Sequence, residues 1–151
     1  MKIKITKTNN APAEVLWTYL SDYSNIQRFH PLLNHSGFIE GSQSCEIGAT
    51  RQCDMKDGNY IKERVIEWEE DSHYSVEVYD TSMPIKNGGR ATLGVRPLDR
   101  DRSETYMIMD VEPEKKFMQP MLYLMFKFQV GPAILKGLED LYQREHLLQA
   151  A

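Results

Sequence analysis

Six stretches between residues 36 and 112 read as strands, and nothing between them is long enough to hold a crossover helix. They are 36–41, 46–55, 60–69, 73–80, 90–98 and 104–112. Turn signals separate them: Gly41-Ser42, Asp57-Gly58-Asn59, Glu70-Asp71-Ser72, Lys86-Asn87-Gly88-Gly89 and Asp99-Arg100-Asp101-Arg102. Strands joined this closely pair as antiparallel hairpins. A seventh strand opens the chain at 2–8, where Ile3 and Ile5 alternate with lysines.

The helical segments lie outside this run. Pro12 suits the first turn of a helix carrying Val15, Leu16, Tyr19 and Leu20. A second short helix, capped by Ser21 or Asp22, runs through Ile26 and Phe29 and is closed by Pro31. From about Pro113 to Gln149 the chain is helical again. Met118, Met121, Leu122, Met125, Phe126 and Phe128 precede Gly131-Pro132, and Ile134, Leu135, Leu138, Leu141, Tyr142 and Leu148 follow. Pro132 predicts a kink or break. An open antiparallel sheet must hide one face, and only the long C-terminal helix is large enough to cover it. The expected fold is α+β: a seven-stranded curved antiparallel sheet wrapped around a long C-terminal helix, with two short helices after strand 1. No repeat or linker interrupts residues 1–151, so one domain is expected. A curved sheet around one helix leaves space that side chains need not fill.

Composition narrows the function classes. Apolar residues make up 41% and charged residues 26%, as in globular proteins. A net charge of −4 argues against a nucleic-acid partner. Cys45 and Cys53 lie eight positions apart with no metal-ligand spacing, so neither a metal nor a cofactor is expected. The apolar run Met121–Phe126 is too short for a transmembrane segment, and no leader-like segment opens the chain. These features suggest a cytoplasmic protein with reduced thiols, a monomer or weak homodimer.

Arg51 and Glu63 fall on facing strands of the hairpin around Asp57-Gly58. They are either a cross-strand ion pair on a wet face or polar fixtures of a pocket wall. The methionines cluster at Met55, Met83, Met107, Met109, Met118, Met121 and Met125. Met fills irregular gaps and lines adaptable surfaces, and Met121 and Met125 are expected to line a cavity. His30 and His35 flank Pro31 in a loop, and His35 is the one expected near a cavity mouth. Tyr60, Tyr74 and Tyr79 could offer hydroxyls. No nucleophile-elbow, phosphate-loop or Ser-His-Asp arrangement is apparent, and no catalytic residue is assigned.

Several of these features together resemble the START / Bet v 1-like helix-grip superfamily, in its polyketide cyclase/dehydrase and lipid transport branch. They are Ile47-Gly48-Ala49-Thr50-Arg51 opening a strand, the Asp57-Gly58 turn, Glu63-Arg64-Val65, Tyr74, and the loop Met83-Pro84-Ile85-Lys86-Asn87. The likeness spans roughly residues 1–149. It implies a long apolar cavity under the C-terminal helix, with Arg51 and Glu63 on its wall. It also implies gating loops at Lys56–Tyr60 and Thr81–Asn87. The expected ligand-facing set is Arg51, Glu63, His35, Tyr79, Met83, Ile85, Met109, Met121 and Met125. Two departures stand out. Gly88 occupies a place where relatives often carry a Tyr, and Asn34 and His35 stand near where hormone receptors of this class hold a carboxylate with a Lys.

Three functions follow from that resemblance. One is a carrier or sensor of a small hydrophobic ligand, such as a lipid or polyketide. Another is a polyketide cyclase or dehydratase, with Arg51 polarising a carbonyl and Glu63 acting as acid or base. The third is a protein-interaction helper of co-chaperone or quinone-binding type, which an exposed apolar patch on the helix would favour.

Overall fold

Alternating burial along each strand builds one concave apolar surface. The computed structural model describes the backbone of residues 1–150 and the side chains through His146. Its strands are β1 (Lys2–Asn9), β2 (Leu33–Phe38), β3 (Thr50–Met55), β4 (Tyr60–Glu69), β5 (His73–Thr81), β6 (Arg90–Pro97) and β7 (Ser103–Asp110). They form one antiparallel sheet in the order β1-β7-β6-β5-β4-β3-β2. Ile3 and Ile5, Val76 and Val78, Leu93 and Val95, and Met107 and Met109 are buried, each two residues apart along its strand. Such pairs point to one face of a pleated strand.

Two strands are shorter or earlier than their sequence pattern. β2 starts at Leu33, and the chain then turns through Glu40 and Gly41, both with positive φ (55° and 80°). β3 starts at Thr50, because the Ala49 N–H closes a turn onto Glu46 O at 3.0 Å. The hairpin turn between β3 and β4 is as expected. Gly58 takes φ 93°, open to glycine without steric cost, and Asp57 Oδ1 accepts the Asn59 N–H at 2.9 Å.

Helix α1 (Ala13–Leu20) follows Pro12 and buries Leu16 and Leu20 as expected, with Ala13 and Trp17 beside them, while Val15 and Tyr19 are only half-buried. The second short helix is a 3-10 turn, Tyr23–Arg28. Asn25 breaks its regularity and donates to the Asp22 carboxylate at 3.1 Å, a local bond that competes with an α-helical ladder. The C-terminal helix begins later than Pro113, which instead bridges to Ile85. A 3-10 turn (Lys116–Met118) leads into α2 (Gln119–Met125), a π turn (Phe126–Val130) and α3 (Gly131–Ala150). The break expected at Pro132 takes the form of that π turn, with the Gly131 N–H reaching back five residues to Phe126 O. Ile134, Leu135, Leu138 and Leu141 of α3 are buried, and the side chain of Leu148 lies outside the described residues.

One glycine fixes how closely α3 sits on the rest of the molecule. A methyl group at Gly137 would run into the backbone carbonyl of Phe29, which cannot step aside as a side chain could. Helix propensity favours Ala over Gly by up to about 1 kcal/mol. Here the clash dominates, and Gly137→Ala is expected to destabilise the fold by about 1–3 kcal/mol. A urea midpoint equal to or above that of the parent protein would show that the contact is loose.

Candidate functional site

Between the concave face of the sheet and the C-terminal helix lies a cavity of about 250 Å³. Its wall is almost wholly apolar: Ile61 from β4, Val78 from β5, Ala91 and Leu93 from β6, Met107 and Met109 from β7, and Met125, Phe126, Val130 and Ile134 from the helix. The two loops expected to gate it border it through Lys56 and Asp57 on one side and Met83 and Ile85 on the other.

Lys56, Asp57 and Arg90 border that wall from the exposed margin, while Arg51 and Glu63 are its buried polar pair. They face each other across β3 and β4, and both point inward because each is two residues from another inward side chain, Cys53 and Val65 respectively. Arg51 is 1% exposed and Glu63 7%. Arg51 Nε donates to Glu63 Oε1 at 3.1 Å, and its Nη1 donates to Tyr23 O at 2.9 Å and Tyr74 Oη at 3.3 Å. The guanidinium lies over the Tyr23 ring, 4.2 Å from its centroid. Tyr23 in turn donates its hydroxyl to Glu63 O at 3.0 Å. Burial acts to lower the Arg51 pKa. The oxygen and sulfur atoms of Tyr74, Glu63, Cys53 and Tyr23 outweigh it and hold the charge in place.

An aromatic stack supports this cluster from behind. Tyr74 stands edge-on to Tyr23 and stacks on Trp68 at 5.3 Å, and Trp68 meets Trp17 edge-on at 5.7 Å. Both indole N–H groups donate to the Glu70 carboxylate, whose pKa those bonds lower. The rings thus fix Tyr74, and Tyr74 fixes one arm of Arg51.

His30 completes the polar rim. It is 8% exposed and lines the cavity, while His35 on β2 is exposed to solvent. The expectation favouring His35 is therefore reversed. Pro31 follows His30 at the core end of the 3-10 turn, and the irregular pairing between Leu33 and His35 breaks the alternation, so that His35 faces outward and Ser36 inward. The Leu32 N–H donates to His30 Nδ1 at 3.3 Å, so the neutral ring carries its proton on Nε2. Burial, then the Arg51 charge, push its pKa down to about 4. Burial likewise pushes the Cys53 thiol up to about 12 and raises the phenols of Tyr23 and Tyr74.

The rest of the expected set divides. Met83, Ile85, Met109 and Met125 line the cavity beside Arg51 and Glu63, as do Met55 and Met107. Tyr79 and Met121 do not. Tyr79 follows inward-facing Val78 on β5, so it points to the outer face, where the Arg64 guanidinium sits 4.5 Å from its ring centroid. Met121 is 56% exposed, on the opposite side of the helix from Leu122 and Phe126. Elsewhere, at the outer face of the sheet, Glu67, Glu69 and His73 bring their ligand-type atoms within 4.8 Å of one another, with His73 Nε2 paired to Glu67.

A curved antiparallel sheet gripping a C-terminal helix over an apolar cavity defines the helix-grip fold of the START / Bet v 1 superfamily. The chain belongs to the family described as polyketide cyclase / dehydrase and lipid transport, which it matches over residues 1–144. None of the curated proteins matches the sequence. Among solved structures, it is similar to a protein from Thermobifida fusca at 25% identity, with a TM-score of 0.79 over 95% of this chain and 93% of that one. It shares its fold with a START superfamily protein from Mycobacterium smegmatis (14% identity, TM-score 0.80, 95% and 97% covered). The same fold recurs in norcoclaurine synthase from Thalictrum flavum, solved with dopamine and hydroxybenzaldehyde (15% identity, TM-score 0.71, 95% and 87% covered).

Proposed function

We propose that the protein binds and carries a small, uncharged, largely hydrophobic molecule bearing one polar end, held in the cavity between sheet and helix. The observation that supports this most directly is the buried Arg51–Glu63 pair set in a mostly apolar wall. A buried ion pair adds little stability over an apolar pair of similar volume, so its retention points to a ligand. The Arg51 charge is already balanced by Glu63. At that buried end, a ligand carboxylate would add an uncompensated charge to a dry site, whereas an alcohol or carbonyl would not. Among the described residues, Arg51 Nη2 and His30 Nε2 have no hydrogen-bond partner, which leaves two donors for such an oxygen.

Size limits the ligand further. A cavity of about 150 Å³ accepts a benzene molecule, so this one suits roughly ten to fifteen non-hydrogen atoms. A sterol or two-chain lipid would need α2 or the bordering loops to move. Carriage or sensing is favoured over catalysis because His30 and Cys53 are displaced from neutrality in the directions that make them a poor base and a poor nucleophile. Free Cys45 and Cys53 suit a reducing cytoplasm.

Native mass spectrometry of the purified protein, followed by organic extraction, tests the reading. The expected result is a discrete bound mass that disappears in Ala91→Phe, where a ring fills the cavity and leaves Arg51 and Glu63 in place. Binding of the neutral fluorescent probe 2-naphthol, which is within that size limit and carries one hydroxyl, is expected to weaken at least about tenfold in the same variant, since the lost contact is the whole apolar site. Unchanged probe binding would move the site elsewhere.

A further inference from the structure

The helix that closes the cavity has a second, outward face that the ligand-binding reading does not use. Phe117, Met121, Leu124 and Phe128 follow one another at spacings of four, three and four, and they are 79%, 56%, 56% and 65% exposed. Met121 and Leu124 lie in α2, Phe117 in the 3-10 turn before it and Phe128 in the π turn after it, and all four turn to solvent along one helical segment. Single exposed hydrophobics are ordinary, but a contiguous row of four is not.

Charge says what covers the row. From Lys115 through Leu138 the sequence holds four lysines and no acidic residue, in a chain whose net charge is −4. Lys115 and Lys116 flank the stripe at one end and Lys127 at the other. Lys127 Nζ donates to the Lys4 carbonyl, which fixes its position without neutralising it. Among the described residues, none of these three forms an ion pair; Lys136, farther along, pairs with Asp140 at 3.0 Å. Glu112 and Glu114 precede the lysines in sequence, Glu112 being paired to Lys86 at 3.4 Å. A second copy of the chain is a poor occupant, because a two-fold stack of the stripe on itself sets the lysine ends of one against those of the other. An anionic bilayer matches both features: its interface takes Phe, Leu and Met side chains and its headgroups attract the lysines.

We propose that the outward face of Lys115–Phe128 docks onto an anionic lipid surface. The inner side of the same helical segment supplies Met125, Phe126 and Val130 to the cavity wall. Docking therefore brings the cavity up to the membrane, with only this one helix between them.

Co-sedimentation with vesicles of phosphatidylcholine alone, and of phosphatidylcholine with phosphatidylglycerol, tests this. The protein is expected to pellet with the anionic vesicles and to be released by salt. The double variant Phe117→Ser/Phe128→Ser is expected to bind at least about tenfold more weakly, because the buried apolar area supplies much of the affinity. Lys115→Gln/Lys116→Gln is expected to bind on the order of tenfold more weakly. All four positions are exposed or outside the core, so an unchanged thermal midpoint serves as the control for folding. Three results would overturn the proposal: no binding to anionic vesicles, binding indifferent to the anionic lipid, or wild-type binding by the Phe variant. A concentration-dependent dimer in analytical ultracentrifugation that the Phe variant abolishes would also overturn it, assigning the stripe to self-association.

Discussion

Glu63→Leu is expected to lower the free energy of unfolding by about 3–5 kcal/mol, because it strands a guanidinium that is 1% exposed. Arg51 would keep the Tyr23 carbonyl, the Tyr74 hydroxyl and the Tyr23 ring, but it would lose the one formal charge that balances its own. The double variant Arg51→Met/Glu63→Leu is expected to be more stable than the single one. It removes both charges and leaves only a few buried acceptors unpaired, at about 1–3 kcal/mol. Urea denaturation of the two single variants and the double closes the cycle. If Glu63→Leu costs less than about 1 kcal/mol, the pair behaves as an exposed surface bridge and the account of the wall is wrong. The double variant also separates stability from function, since a cavity without its polar end should keep its fold and lose its ligand.

Acid should weaken the fold through His30. In the unfolded chain this ring titrates near 6.5; in the native state, burial and then the Arg51 charge bring it down to about 4. Between those values the unfolded state holds a proton that the native state does not. Stability therefore rises with pH across this window, is fully present above the unfolded pKa, and is lost as pH falls toward the folded one. The separation corresponds to about 3 kcal/mol. Exposed carboxylates with lowered pKa values, Asp57 and Asp99 among them, contribute in the same direction at lower pH. The variant His30→Gln isolates the imidazole, and its Oε1 can still accept the Leu32 N–H. Its unfolding free energy should be flatter between neutrality and about pH 4.5 than that of the parent protein. Parallel curves would place the His30 ring in contact with water.

Strand alternation and turn residues were enough to lay out the sheet. The Arg51–Glu63 pairing followed from counting outward from Asp57-Gly58, since register in a two-strand hairpin is set by its turn. What the sequence did not carry was which of two neighbouring residues faced inward where the backbone leaves regular geometry. His30 and His35 differ in burial because of a 3-10 turn and an irregular pairing between Leu33 and His35, and neither has a periodic signature. Met121 and Met125 are four apart, which ordinarily shares a face. Both sit within α2 at the edge of its buried Leu122–Phe126 stripe, and only Met125 reaches the cavity while Met121 stays 56% exposed. Tyr79 is a different case: strict alternation from Tyr74 through Val76 and Val78 already placed it on the outer face.

The strand order also has a kinetic side. Five of the six strand pairings join elements adjacent in sequence, and each needs only a short loop. The sixth joins the two ends of the sheet's chain, with Lys2 beside Asp110 and Asn9 beside Ser103. Closing a loop of that length costs about 4 kcal/mol of chain entropy on the logarithmic law, before any contact between the strands rewards it. The β2–β7 meander can thus assemble locally, while the first residues in the sequence are held back until β7 is in place. Damage to Ile3 or Ile5 then falls on the rate at which the finished protein comes apart more than on the rate at which it is made.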